Sequence, residues 1–167
     1  MAAKTGTYTK IATTTVAGSS TASVTFSSIS GSFTDIVFVC DIDGSDGSAS
    51  TRIRFNGDSG SNYSQTDSRG NGSSATSSRT SSVAQISLGG GTATNQTNVI
   101  GSINDYSNAT TFKTTILRFN NPAEVVGARV ALFRSTSAIT SIEFFVSAGN
   151  WVSGSTFTLY GIEAGNL

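Results

Sequence analysis

Apolar residues recur along this chain with a period of two, and the runs that carry them are filled with β-branched and aromatic side chains, the mark of strands with one face buried. The alternation predicts strands over Thr7–Val16, Ala22–Phe26, Phe33–Ile42, Thr51–Phe55, Val83–Leu88, Val99–Tyr106, Phe112–Phe119, Ala128–Arg134, Ile139–Val146 and Thr156–Ile162. In Ile139–Val146 the residues Ile142, Phe144 and Val146 share one face, with Ser141 and Glu143 on the other, so one side is dry and the other wet. Phe33–Ile42 puts Ile36, Phe38, Cys40 and Ile42 on one face and Val37 and Val39 on the opposite one. That pattern predicts a central strand covered on both sides.

Helical signal is confined to Asn121-Pro122-Ala123-Glu124, where an N-cap, a Pro at the first helical position and an acid at the third precede Gly127, which stops it. Between the strands lie Gly- and Ser-rich loops at Asp43–Ser50, Asn56–Ser82 and Gly89–Asn98. The middle one exceeds the usual length of a structureless connection; its Asn56-Gly57 and Asn71-Gly72 turn signals predict that it folds back as an irregular hairpin. Many short antiparallel strands with turn-rich links define an all-β protein, an antiparallel β-sandwich. A jelly-roll-like topology tolerates such long loops, and an immunoglobulin-like sandwich is the rival. The expected organisation is a single β-sandwich domain over residues 1–167, with residues 1–10 as an extended N-terminal arm and 56–82 as a long loop.

Composition narrows the role. The 167 residues include no His, one Cys and one Pro, and charged residues make up only 12%, about half the usual share of ~25%. Solvent-facing positions therefore fall to Ser, Thr, Asn and Gly, which is unusual for a free monomer and common among proteins held in an assembly. The ten cations balance the ten acids and are scattered along the chain, so no phosphate-binding surface and no nucleic-acid partner is expected. The N-terminal segment lacks the apolar stretch of a secretory signal, and the longest apolar run, Ile36–Cys40, is far short of the ~20 residues of a membrane span, so no membrane partner is expected. A single cysteine closes no intramolecular disulfide, and Cys40 reads as an inert core thiol.

The residues for catalysis at neutral pH are sparse. A serine nucleophile needs a base; without imidazole the candidates are carboxylates or Lys4, Lys10 and Lys113, and neither a Ser-x-x-Lys nor a Gly-x-Ser-x-Gly arrangement occurs. Glycoside cleavage needs only two carboxylic acids, which leaves Asp41, Asp43, Asp46, Asp58 and Asp67 as candidates, yet Asp is also what turns are made of and the chain has one Trp to line a cleft. Asp41–Gly47 superficially resembles a calcium loop but has Asp46 where the turn needs Gly, and it lacks the closing Glu. No enzyme activity, catalytic residue, cofactor or metal is expected. The residues that remain as interface candidates are Arg52 and Arg54, which share one face of a strand, and the aromatics Tyr63 and Trp151; a paired surface for the arginines and a core position for Trp151 are the alternatives.

Four phrases carry a resemblance: Phe33-Thr34-Asp35-Ile36-Val37, the run Arg52-Ile53-Arg54-Phe55-Asn56-Gly57-Asp58-Ser59-Gly60-Ser61-Asn62-Tyr63-Ser64, then Ile139-Thr140-Ser141-Ile142, and the closing Phe157-Thr158-Leu159-Tyr160-Gly161-Ile162. Together they resemble small jelly-roll-like virion surface proteins, capsid decoration (cement) or fibre proteins, of marine and cyanobacterial tailed bacteriophages. The resemblance implies a virion location, a homotrimer or other homo-oligomer, and partners among the major capsid protein or other virion subunits. It also implies one of two roles: a cement that bridges capsid subunits and stabilises the head, or a tail fibre or receptor-binding module for a host surface glycan. The absence of coiled-coil heptads and shaft repeats favours the head.

Overall fold

The computed structural model describes residues 7–46, 49–90, 96–121 and 125–163. The strands are β1 (Tyr8–Thr15), β2 (Ser23–Phe26), β3 (Asp35–Ile42), β4 (Ser50–Phe55), β5 (Tyr63–Gly70), β6 (Ala75–Val83), β7 (Ile86–Gly90), β8 (Thr97–Asn104), β9 (Lys113–Asn121), β10 (Val125–Phe133), β11 (Ile142–Val146) and β12 (Thr156–Ile162). They form two antiparallel sheets, a wide one in the order β1-β12-β3-β8-β9-β10-β5-β6 and a narrow one in the order β2-β11-β4-β7. With the hairpins β5–β6 and β9–β10 set aside, the remaining strands alternate between β1-β12-β3-β8 and β2-β11-β4-β7, which is the double Greek key of a jelly roll. The two hairpins then extend one sheet to eight strands while its cover stays at four.

Alternation decides which side chains go inside. β3 buries Ile36, Phe38, Cys40 and Ile42, β11 buries Ile142, Phe144 and Val146, and β12 buries Phe157 and Leu159, all between the sheets. The aromatic rings form a chain at van der Waals range: Phe144 meets Phe26 edge-on at 6.1 Å, Phe38 at 5.7 Å and Phe157 at 5.2 Å, and Phe157 meets Trp151 at 5.0 Å. Phe38 lies across Gly101, its register partner on β8, where a Cβ would come within 2.2 Å of the ring. Burial raises the Cys40 thiol well above its ordinary pKa, so it stays neutral and packs as a small apolar group.

Several sequence-based expectations change here. The segment 56–82 is not a long loop: most of it is β5 and β6, a hairpin whose strands are too rich in Ser and Thr to show apolar alternation. Its two turns are the ones the dipeptides predict. Asn56 and Gly57 take positive φ of 53° and 66°, and Asn71 Oδ1 accepts from the amides of Ser73 and Ser74 with Gly72 at φ 86°. The helical turn expected at Asn121–Glu124 falls on residues 122–124, which lie outside the described residues, and Asn121 and Val125 face each other across the β9–β10 ladder. Of the expected arm, residues 1–6 lie outside the described residues, and Tyr8, Thr9 and Lys10 belong to β1. Val37 and Val39 of β3 are only half-buried, because no layer covers the outside of the wide sheet.

Phe144 touches rings from both sheets, so its loss leaves a cavity that neither sheet fills alone. Phe144→Ala is expected to lower stability by about 3–5 kcal/mol, read as a shift of the urea unfolding midpoint at unchanged slope.

Candidate functional site

Two of the four expected interface residues are core residues. Tyr63 is fully buried; its ring stacks on Phe133 at 4.7 Å and leans on Phe55 at 6.1 Å, while its hydroxyl accepts from the Phe55 amide at 3.1 Å and donates to the Phe55 carbonyl at 3.3 Å. Burial raises its phenol far above the ordinary range, which keeps it a neutral donor. Trp151 is fully buried against Phe157. The placement of Tyr63 corrects the expectation that it sits at the surface, and Trp151 takes the core position that was its alternative. Arg52 and Arg54 do share the outer face of the narrow sheet, but Arg54 is engaged within the fold, 3.5 Å from Glu143 and 4.5 Å over the ring of Phe145.

The phrase that carries the resemblance at Arg52–Ser64 is an architectural corner. Asn56 donates to the Ala138 carbonyl at 2.8 Å and accepts from the Thr140 amide at 2.8 Å, pinning the 134–141 connection to the end of β4. Asp58 accepts from the Gly60 amide and from Asn62, both at 2.8 Å, and closes the turn. Asn56, Asp58 and Asn62 are thereby occupied in holding chain to chain.

The fold separates three of the candidate acids. Asp41 on β3 accepts from Asn98 at 2.8 Å, Asp58 sits in the β4–β5 turn, and Asp67 on β5 is buried against Arg129 on β10. Lys113, a candidate base, is fully buried, and its ammonium donates to the carbonyls of Thr111 at 2.7 Å, Thr136 at 3.1 Å and Ser135 at 3.5 Å. Burial lowers its pKa and Asp105 opposes the shift. Its protons are taken up by main chain, so it ties the start of β9 to the segment after β10.

A polar node fastens the hairpin extension to the jelly roll. Arg129 and Asp67 are register partners with a contact of 3.7 Å, both nearly inaccessible, and Ser78 on β6 donates to Asp67 at 2.6 Å. Arg129 also lies 5.2 Å over the Phe119 ring and donates to the Ser87 carbonyl, while Gln65 accepts from the Ser87 amide at 2.9 Å. Ser87 belongs to β7, the free edge of the narrow sheet, at the point where its ladder with β4 is bulged. The extension thus satisfies both main-chain groups of an edge residue that its own sheet leaves unpaired. Burial lowers the Arg129 pKa and Asp67 opposes the shift without cancelling it, so the attraction offsets only part of the cost of desolvating the guanidinium.

The outer face of the wide sheet is where the sequence missed most. Six large apolar side chains are exposed among the described residues, and five of them, Tyr8, Ile100, Ile116, Val126 and Val130, stand on this face. The register sets Ile116 opposite Val130 on β10 and Ser102 on β8, and Val37 lies beyond Ser102 on β3, so the apolar surface runs across neighbouring strands. Among the described residues, the charges on this face in the strands from β8 to β6 are Arg118 and Arg79, both cations, and Asp35 and Asp41 lie on β3. Arg118 lines an open trough of about 720 Å³ with Asn98, Asn120, Ser68, Ile100 and Val126. The signal was present in the doublets Ile116-Leu117 and Val125-Val126, where an apolar residue takes the position that a one-sided strand gives to a polar one. Family models, curated proteins and solved structures yield no match to this chain.

The node supports a stability prediction. Asp67→Ala strands Arg129 as an uncompensated buried cation and is expected to cost about 3–5 kcal/mol, whereas the joint change Asp67→Leu with Arg129→Met recovers most of that loss in the same denaturation assay.

Proposed function

We propose that this chain is a non-enzymatic structural protein of a bacteriophage virion, a decoration or cement protein that lies on the head and bridges capsid subunits with the outer face of its wide sheet. The observation that carries the reading is the concentration of exposed aliphatic residues on that one face, with Arg118 and Arg79 as its only charges among the described residues of the strands from β8 to β6. A contiguous apolar surface of this kind is costly on a solitary monomer and marks a contact with another protein. Its chemistry favours a partner that presents aliphatic residues and carboxylates, since both unpaired charges of that half are guanidinium groups. Binding only to the assembled shell stabilises the shell by mass action, and no catalytic group is needed for it.

A second reading, a glycan-recognition module at the tail, is favoured by the trough itself, where Arg118, Asn98, Asn120 and Ser68 offer hydroxyl-matching donors and acceptors beside apolar Ile100 and Val126. The aromatic lining of the trough is Phe119, which is almost wholly buried, and the exposed Tyr8 stands with Tyr160 at the far edge of the sheet.

The test is a binding assay on heads of the encoding phage that lack the protein. Wild-type chain is expected to bind them and raise their melting temperature. Val130→Asp and Arg118→Glu, both on exposed positions, are expected to weaken binding by tenfold or more while leaving the melting of the free chain within a few degrees. Unchanged shell melting, or equal binding by both variants, contradicts the reading, and specific capture on a glycan array supports the second one.

A further inference from the structure

Each sheet of a sandwich has two edges, and an edge is a row of unpaired amides and carbonyls that attracts another strand unless it is blunted. Three of the four edges here are blunted. β2 has only four residues, β1 is bulged between Lys10 and Ala12 and carries the charge of Lys10, and β7 is bulged and has its Ser87 groups taken by Gln65 and Arg129. The fourth edge, β6, is different. It runs for nine residues, Ala75–Val83, is irregular only at Ser82 next to its end, keeps regular register with β5 over the seven residues from Ala75 to Ser81, and contains no Pro, no Lys and a single charge, Arg79. Its side chains from Ala75 to Ser82 are exposed, so the narrow sheet does not reach it on the inner side and nothing covers it on the outer side. A strand with so little burial of its own is held by one ladder to β5 and by Ser78 on Asp67.

We infer that β6 is a self-pairing edge: a second copy of this chain adds its own β6 antiparallel to it, joining two wide sheets into one across a two-fold axis. The occupant follows from the composition of the edge. An antiparallel ladder is self-complementary, because the axis that generates it stands perpendicular to the sheet and maps each outward-pointing main-chain group onto a partner. The side chains are small Ser and Thr on both faces, which pair across strands without crowding. The one charge selects the register. Centring the axis on Arg79 opposes two guanidinium groups, whereas centring it on Ser78 sets Ala75 against Ser81, Thr76 against Thr80, and each Arg79 against Ser77 of the other copy. Because β5–β6 projects beyond the narrow sheet, the two cores stay apart while the edges meet. The perpendicular axis also leaves both outer faces on the same side of the dimer, which doubles the docking surface without altering it. The inference goes beyond the docking reading and holds whatever that face binds.

Charge substitutions at Ser77 test it, because this side chain is exposed, bonds to nothing in its own chain among the described residues, and faces Arg79 only in the paired register. Sedimentation equilibrium of the wild-type chain is expected to show a reversible dimer. Ser77→Arg, which sets cation against cation twice by symmetry, is expected to raise the dissociation constant about tenfold, and Ser77→Glu to lower it by a similar factor at low salt, with the difference shrinking as salt is added. Thermal melting at high dilution serves as the folding control and is expected to be unchanged in both variants. A wild-type chain that stays monomeric, a trimer, or a dimer that responds to neither substitution overturns the inference. The docking reading fails separately, by loss of shell binding, so the two are distinguishable.

Discussion

A sheet of eight strands covered by a sheet of four leaves half of one inner face without a partner layer, and the rest of the molecule follows from how that half is closed. The jelly-roll half is closed by rings: Phe26, Phe38, Phe144, Phe157 and Trp151 fill the gap between facing sheets. The hairpin half is closed by β7, which approaches β8, β9, β10 and β5 from the side, and by the Arg129–Asp67 pair that reaches Ser87. Phe119 fills the remaining space, lying where Gly89 and Gly127 lack a Cβ that would come within 2.6 Å of its ring. Cover runs out at β6, and with it the burial that a strand ordinarily needs.

The same constraint produces the outer surface. Widening the sheet adds area on both sides, and only the inner side is covered, as far as β7 and the Arg129–Asp67 pair reach. At ~4.8 Å between strands and ~3.3 Å per residue, eight strands of about seven residues present a footprint of roughly 900 Å². That is near the ~800 Å² that each partner contributes to an ordinary specific interface. A chain poor in charge tolerates such a surface when a neighbour covers it. On the proposed reading, the low charge and the uncovered face are two aspects of one property, association through a broad flat contact in place of a deep pocket.

How much of this was legible depends on which force shapes each segment. Strands whose one face is apolar, such as β3, β11 and β12, were readable because burial writes a period of two into the sequence. β5 and β6 were not, because their strand conformation is imposed by ladder pairing to β10 and by the node at Asp67, and Ser-Thr sequence carries no alternation to read. Tyr63 looked like a surface aromatic because it followed a polar turn; the fold instead draws it inward, where Phe55 supplies both hydrogen bonds for its hydroxyl. Trp151 followed Gly-Asn and is drawn in by ring packing against Phe157. Arg129 and Lys113 gave no sign of burial, since charged residues earn interior places only through partners distant in sequence, here Asp67 and the carbonyls near Ser135. The outer face was written in the apolar doublets of β9 and β10, but a doublet names a second contact without naming its partner.

We propose the outer face of the wide sheet, and not the loops or the narrow sheet, as the contact surface of this protein. Electron cryomicroscopy of the virion proposed to carry it tests this most directly. The account predicts Ile100, Ile116, Val126 and Val130 buried against a neighbouring subunit and Arg118 within hydrogen-bond distance of a carboxylate; a particle in which that face looks out into solvent while the narrow sheet makes the contact contradicts it.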